Sequence, residues 1–200
     1  MVNRTSFSLF CSHLDLAHEY WRKLIEPGDC VIDATCGNGY DSLFLAQLVL
    51  SENRGQLIAL DKQKMAIDAA YERLNSSLSA HILSRVRFHH QCHSTFPEDI
   101  APDSVALIVY NLGYLPGAGN KELTTTKETT FLSLTAATRL IKPGGCISVT
   151  CYPGHPEGKL EENVVLEFSA SLNPKQWNCC HHRWTNRHQS PSLLLLQKSI

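Results

Sequence analysis

The chain has 200 residues, 43% of them hydrophobic and 18% charged, the composition of an ordinary soluble globular protein with enough apolar residues for a full α/β core. No apolar run, 193–196 included, is long enough to span a bilayer, and His13 and Asp15 interrupt the N-terminal segment, so neither a membrane span nor a signal peptide is read and a cytoplasmic location is expected. The net charge of −1 does not argue for or against nucleic acid, but its distribution is uneven: 1–167 carry −5, and 168–200 carry +4 with no acidic residue.

In chain order, helical spacing of apolar residues covers 14–25 and ends at Pro27-Gly28. A short apolar strand at 30–34 runs into a Gly-rich loop, and a helix follows at 42–50. A strand at 56–60 ends in Asp61. A helix is predicted at 65–78, a strand at 86–89 and a strand at 104–110. The next helix, 128–141, is stopped by Lys142-Pro143-Gly144-Gly145. A strand at 146–152 and a helix at 160–172 follow. Two last strands, 177–184 and 193–198, are joined by a turn around Pro191 with no helix between them.

Strands alternating with helices imply right-handed crossovers, a mostly parallel sheet and helices on both faces. A closing strand pair without a helix implies a terminal antiparallel hairpin. Five βα units plus this hairpin give the seven-stranded, Rossmann-like outline of the class I methyltransferase fold. One domain is expected over 1–200, with 1–27 as an N-terminal helical segment and 28–200 as the sheet core.

The eight cysteines show no CxxC pair and read as small buried hydrophobes. The run CCHHRWTNRH (179–188) has metal-ligand residue types. Neighbours on a strand point to opposite faces, however, so no metal is expected there. The basic residues of the tail, Arg183 and Arg187 among them, are candidates to face phosphates; a solvated strand and turn is the simpler alternative.

The run VIDATCGNGYD (31–41) lies at the first strand-to-helix turn, where doubly wound sheets bind ligands. Gly37 and Gly39 allow close backbone approach and positive φ. The third position of a GxGxxG fingerprint is Ser42, so a dinucleotide pattern fails. Asp33 at the strand end would repel a pyrophosphate but suits an ammonium. Asp61, 22 residues after Gly39, can accept hydrogen bonds from two ribose hydroxyls. S-adenosylmethionine (SAM) has both groups. His93, after the third strand, reads as an edge contact for the adenine or as an ordinary loop histidine.

The loop YNLGYLPGAGN (110–120) follows the fourth strand, which lies beside the first at the switch point of the sheet. A simple turn needs no Tyr and Leu between Gly and Pro. The loop echoes the Asn-Pro-Pro-Tyr loop of enzymes that methylate amino nitrogens. The side-chain oxygen of Asn111 can orient a nitrogen nucleophile, and Tyr114 offers a ring on which a base stacks. This echo permits methylation of an exocyclic base nitrogen in rRNA or DNA. A SAM-binding module without catalysis is a further alternative, disfavoured by the intact loop.

The sequence resembles the small bacterial methyltransferases that complete 5-methylaminomethyl-2-thiouridine at the wobble position of tRNA, a family whose relatives also carry the description of rRNA methylases. The likeness covers nearly the whole chain. It includes DATCGNGYDSLFLA (33–46), LDKQKMAI (60–67), CHS (92–94), YNLGYLPGAGNKELTTTKETT (110–130), YPGHPEG (152–158) and NRHQSPSLLLLQK (186–198). The resemblance implies SAM contacts at Asn38, Asp41, Asp61, Gln63 and His93, and a reaction pocket with Asn111 and Tyr114. Departures are Gly117-Ala118-Gly119 at the pocket rim and Lys62. The implied reaction is methyl transfer to the primary amine of 5-aminomethyl-2-thiouridine, with the tRNA anticodon stem-loop as partner and a homodimer left open. His155 is a candidate proton acceptor, base-positioning group or loop anchor.

Overall fold

The protein is described by a computed structural model covering residues 10–113, 125–187 and 189–200. Helix α1 (His13–Leu24) comes first, capped by the Ser12 side chain on Asp15 N–H. Strand β1 (Cys30–Asp33), helix α2 (Tyr40–Val49), strand β2 (Gln56–Asp61) and helix α3 (Lys64–Asn75) follow. A single turn of helix, α4 (Ala80–Leu83), precedes strand β3 (Val86–His90). Then come β4 (Val105–Asn111), α5 (Lys127–Leu140), β5 (Ile141–Cys151), α6 (Pro156–Ser171), β6 (Trp177–His182) and β7 (Ser192–Lys198).

The seven strands lie in the order β3-β2-β1-β4-β5-β7-β6. β1 to β5 are parallel, and β7 runs antiparallel to both β5 and β6. The crossover point between β1 and β4, expected from the alternation of elements, is present: Asp33 pairs with Val109.

Successive strand residues go to opposite faces, as the pleat demands. Ile32, Ile58, Ile108 and Tyr110 pack with Leu134 and Ala137 of α5 and Val165 of α6. Val31, Leu57, Leu107 and Val109 pack with Ala17 and Trp21 of α1, Leu45 of α2 and Leu74 of α3. Both faces are therefore covered. This explains why the central strands read as unbroken apolar runs and not as alternating patterns.

Beyond element ends that shift by up to four residues, such as α6 beginning at Pro156, two details differ from the sequence reading. α4 goes unread because four residues are too few to show a period. The Lys142-Pro143-Gly144-Gly145 run ends α5 as expected, yet it lies within the span of β5. Ile141 already pairs with Val105, and pairing resumes at Cys146–Leu107 after a register shift. The extra residues bulge out at Gly144, whose φ of 77° is left-handed. A Cβ on Gly145 would come within 2.8 Å of the Ala106 carbonyl oxygen.

Candidate functional site

A cleft of about 790 Å³ opens at the C-terminal ends of β1, β2 and β4. Its floor is the loop between β1 and α2. Cys36 N–H donates to Leu60 O (2.9 Å), which ties the loop to β2. Gly37, at φ 50°, points its N–H at Asp61 Oδ2 (3.0 Å), and Gln63 N–H donates to Asp61 Oδ1 (2.9 Å). Asp61 is thereby held in one orientation, while its carboxylate oxygens keep lone pairs for a ligand. Burial raises its pKa, with the two backbone N–H bonds acting the other way.

Gly37, Asn38, Asp41, Asp61, Gln63, His93 and Asn111 all line this cleft, so these sequence candidates are brought together. Three side-chain atoms here are buried without a protein hydrogen-bond partner: Gln63 Oε1, His93 Nε2 and Asn111 Oδ1. Buried polar groups are normally satisfied, so a set of such atoms concentrated at one cleft marks a ligand site. Burial pushes the His93 imidazole down to about 4, helped by the Lys62 charge, so it is neutral near pH 7.

Two of the cofactor candidates lie elsewhere, as do Arg183 and Arg187. Asp33 is 1% exposed and does not line the cleft. Its Oδ2 accepts from Ser42 Oγ (2.6 Å) and its Oδ1 from Thr35 N–H (3.3 Å). Burial, then the Asp41 charge, pushes its carboxyl up to about 7. Gly39 is the N-cap of α2 at φ 77°, and a Cβ there would sit 2.7 Å from Ala70 Cα. Its glycine serves the approach of α2 to α3. The carboxylate from this loop that does reach the cleft is Asp41, in the first turn of α2.

On the β4 side, Asn111 N–H donates to Thr35 Oγ1 (2.7 Å) and Leu112 N–H to Thr150 O (2.9 Å). The Asn111 Nδ2 donates to Asp41 Oδ2. An ionised carboxylate only accepts, so this bond selects the NH₂ end of the amide and leaves Oδ1 as the end available to a ligand. Gly113 N–H donates to Thr125 Oγ1 (2.9 Å), which in turn donates to the buried Glu161 of α6 (2.7 Å). Thr130 Oγ1 also donates to Glu161 (2.8 Å). Tyr114 lies outside the described residues.

His155 lines the cleft as the N-cap of α6, and its Nδ1 accepts from Gly158 N–H (3.1 Å). The Nδ1 lone pair is thereby used in the helix cap. Among its sequence roles, the anchor is the one this geometry suits.

Helix α1 supplies what the sequence reading missed. Leu14 lines the cleft, His18 Nε2 lies 2.7 Å from Asp41 Oδ1, and His13 Nε2 lies 3.2 Å from Tyr152 Oη. Leu14 and His18 are four apart, hence on one helix face, but no motif points them at a loop 23 residues away. At the rim, Gln189 and Pro191 come from the 183–191 connection between β6 and β7. Arg183 and Arg187 are exposed in that connection, and the Arg187 guanidinium sits 4.9 Å from the centre of the Trp184 ring.

Among the described residues, no His, Cys, Asp and Glu side chains gather as a set of metal ligands. In β6, Cys180 and His182 share a face, with sulfur and Nε2 3.4 Å apart. No helix among the described residues is long and apolar enough to cross a membrane.

The family described as "Putative rRNA methylase" matches residues 57–198. The chain is 40% identical over 189 residues to the chloroplastic tRNA (mnm(5)s(2)U34)-methyltransferase of Arabidopsis thaliana, covering 92% of this chain and 68% of that protein. A crystal structure described as a putative rRNA-methylase from Clostridium thermocellum superposes with a TM-score of 0.86 at 32% identity, covering 94% of this chain and 98% of that one. A structure described as a putative methyltransferase from Streptococcus mutans in complex with SAH gives 0.81 at 24% identity over 94% and 99%, a likeness of fold. The cleft therefore belongs to a methyltransferase sheet of known shape, and the chain belongs to the family described as putative rRNA methylase.

Proposed function

We propose that this chain transfers a methyl group from SAM to the primary amine of 5-aminomethyl-2-thiouridine at the wobble position of tRNA, docking the anticodon stem-loop over the cleft. The cleft residues fit the donor. Asp61 offers acceptors for two ribose hydroxyls, and the orphaned Gln63 Oε1 and His93 Nε2 are polar atoms in want of a heterocycle's partners. SAM, when bound, supplies an electrophilic methyl group on a sulfonium. What the chain itself must do is hold the nucleophile.

The observation that carries the substrate reading is Asn111. Its Nδ2 is committed to Asp41, and its Oδ1 is a buried acceptor without a protein partner. Such an acceptor suits an N–H nucleophile: accepting from one N–H aims the nitrogen lone pair elsewhere, toward the electrophile. A hydroxyl or carbon nucleophile gains less, because it has one such hydrogen or none. The substrate amine must shed the proton it carries in water before it can attack. The N-cap use of His155 Nδ1 argues against that ring as the acceptor.

The test is single-turnover methyl transfer to tRNA carrying the unmethylated amine, with saturating SAM and nucleoside mass spectrometry of the digest. The methylated wobble nucleoside is expected. Asn111→Ala is expected to bind SAM normally and to lose on the order of 10²–10³ in rate, by analogy with removing one transition-state donor. Methyl on an exocyclic base nitrogen instead would replace this reading with the rRNA or DNA one. A wild-type rate for Asn111→Ala would reduce the loop to a turn.

A further inference from the structure

We propose that His18 is a positioning residue for methyl transfer, acting through Asp41 to fix which end of the Asn111 carboxamide faces the substrate. The inference rests on the nitrogen-nucleophile reading above but concerns a residue on a different element.

The three side chains form an unbroken line. His18 Nε2 lies 2.7 Å from Asp41 Oδ1, and Asn111 Nδ2 donates to Asp41 Oδ2. Each link constrains the next. A carboxamide turned by 180° keeps its shape and swaps an acceptor for a donor. Only a partner that accepts and cannot donate forbids the swap. The Asp41 carboxylate is such a partner, and the His18 imidazole holds its other oxygen in place. With Asp41 fixed, Oδ1 of Asn111 is the end left without a protein partner. With Asp41 free to move, the NH₂ end could turn outward and meet the substrate's own N–H groups donor to donor.

His18 is itself held. Its ring stacks on Phe44 at 3.9 Å and 12°, and Trp21 packs at 4.9 Å. The Arg22 guanidinium lies 4.6 Å from the Phe44 ring centre. The other titratable groups that feel Asp41 are the buried Asp33, His13 of α1 and Tyr152 beyond β5. None of these offers Asp41 a hydrogen bond, so the imidazole is its partner on the α1 side among the described residues.

Two variants separate orientation from packing. His18→Phe keeps a ring against Phe44 and removes the N–H donor. His18→Gln keeps an N–H donor and removes the ring. Single-turnover rates on the unmethylated tRNA, with saturating SAM, should fall about ten- to a hundredfold in His18→Phe and recover most of the way in His18→Gln. SAM dissociation constants and the Michaelis constant for tRNA should stay within about twofold of wild type in both, the loss being one of geometry at the reacting nitrogen. In the protein alone, the side-chain amide resonances of Asn111 should shift and broaden in His18→Phe and return in His18→Gln.

The opposite order, with Phe active and Gln impaired, would overturn the proposal and leave His18 as packing for α1. So would unchanged Asn111 resonances in His18→Phe. If wild-type protein does not methylate this tRNA, the substrate reading fails, and the amide resonances still decide the role of His18.

Discussion

The floor and the rim of the cleft are built differently. On the floor, 33–63, the carboxylates are committed to neighbouring groups. Asp33 holds Ser42, Asp61 holds the Gly37 and Gln63 amides, and Asp41 holds Asn111 and His18. At the rim, the 183–191 connection carries exposed Arg183 and Arg187 with no acidic residue after Glu167. Preorganised donors and acceptors suit a small ligand of fixed shape. Exposed positive charge suits a polyanion that is gripped by many weak contacts. On the proposed reading, the committed floor would serve the cofactor and the basic connection beside the cleft the tRNA.

The division between floor and rim is most exposed to disproof at Asp61. Asp61→Ala should weaken SAM binding by well over tenfold, since two charge-assisted hydrogen bonds worth roughly 1.5–3 kcal/mol each are lost. Calorimetry with SAM measures it. An unchanged dissociation constant would remove Asp61 from the ligand's reach and make it only a clamp for Gly37 and Gln63.

How far this floor was legible follows from distance along the chain. Asp61, Gln63 and the Gly37 turn sit within one βαβ unit, where residue spacing and loop chemistry nearly define the geometry. Asp33 was legible as a strand-end carboxylate, but its direction was not. Ser42, nine residues on, captures it inside, and Asp41 reaches the cleft in its place. His18 and Glu161 had no signal. Their partners, Asp41 and Thr125, come together only when α1 and α6 pack, and helix periodicity does not say what a helix covers. The neighbouring of β1 and β4 was legible because the two can meet in few ways once the crossovers are right-handed.

Asp33 probes the floor through pH. Burial lifts its carboxyl from the ordinary 3.8 to about 7. Between these values the folded chain keeps a proton that the unfolded chain has released. Its contribution to stability is therefore full below about 4, is lost as pH rises toward 7, and changes no further above that. Asp33→Asn has no such titration. Urea unfolding across this range should show wild type losing ground to the variant by at most about 1.4 kcal/mol per pH unit. SAM affinity should be nearly equal in the two proteins, because Asp33 does not line the cleft. A flat difference in stability, or a large drop in affinity, would return Asp33 to the ligand's side.

The smallest expected effect is at the rim. Arg183→Glu with Arg187→Glu changes four units of charge on an exposed connection whose neighbours Gln189 and Pro191 already edge the cleft. If tRNA is gripped here, each arginine that neutralises a phosphate releases counterions. The logarithm of the binding constant against the logarithm of salt concentration should then lose about 0.7–0.9 of slope per contact. Two contacts make a flattening of about 1.4–1.8 on the same scale, with weaker binding at low salt and little change at high salt. Arg187 also lies against the Trp184 ring, which in turn meets Phe10 edge-on at 5.4 Å, so its removal frees an aromatic surface as well as a charge. Arg187→Lys separates the two effects. It keeps the charge and loses the flat guanidinium, so a normal salt slope with weakened binding would assign part of the grip to stacking. SAM affinity and unfolding midpoint should hold in every variant. If tRNA binding and its salt slope stay at the wild-type values after the double reversal, the acid-free tail is a solvated face, and the surface that grips tRNA must be sought on the other side of the cleft.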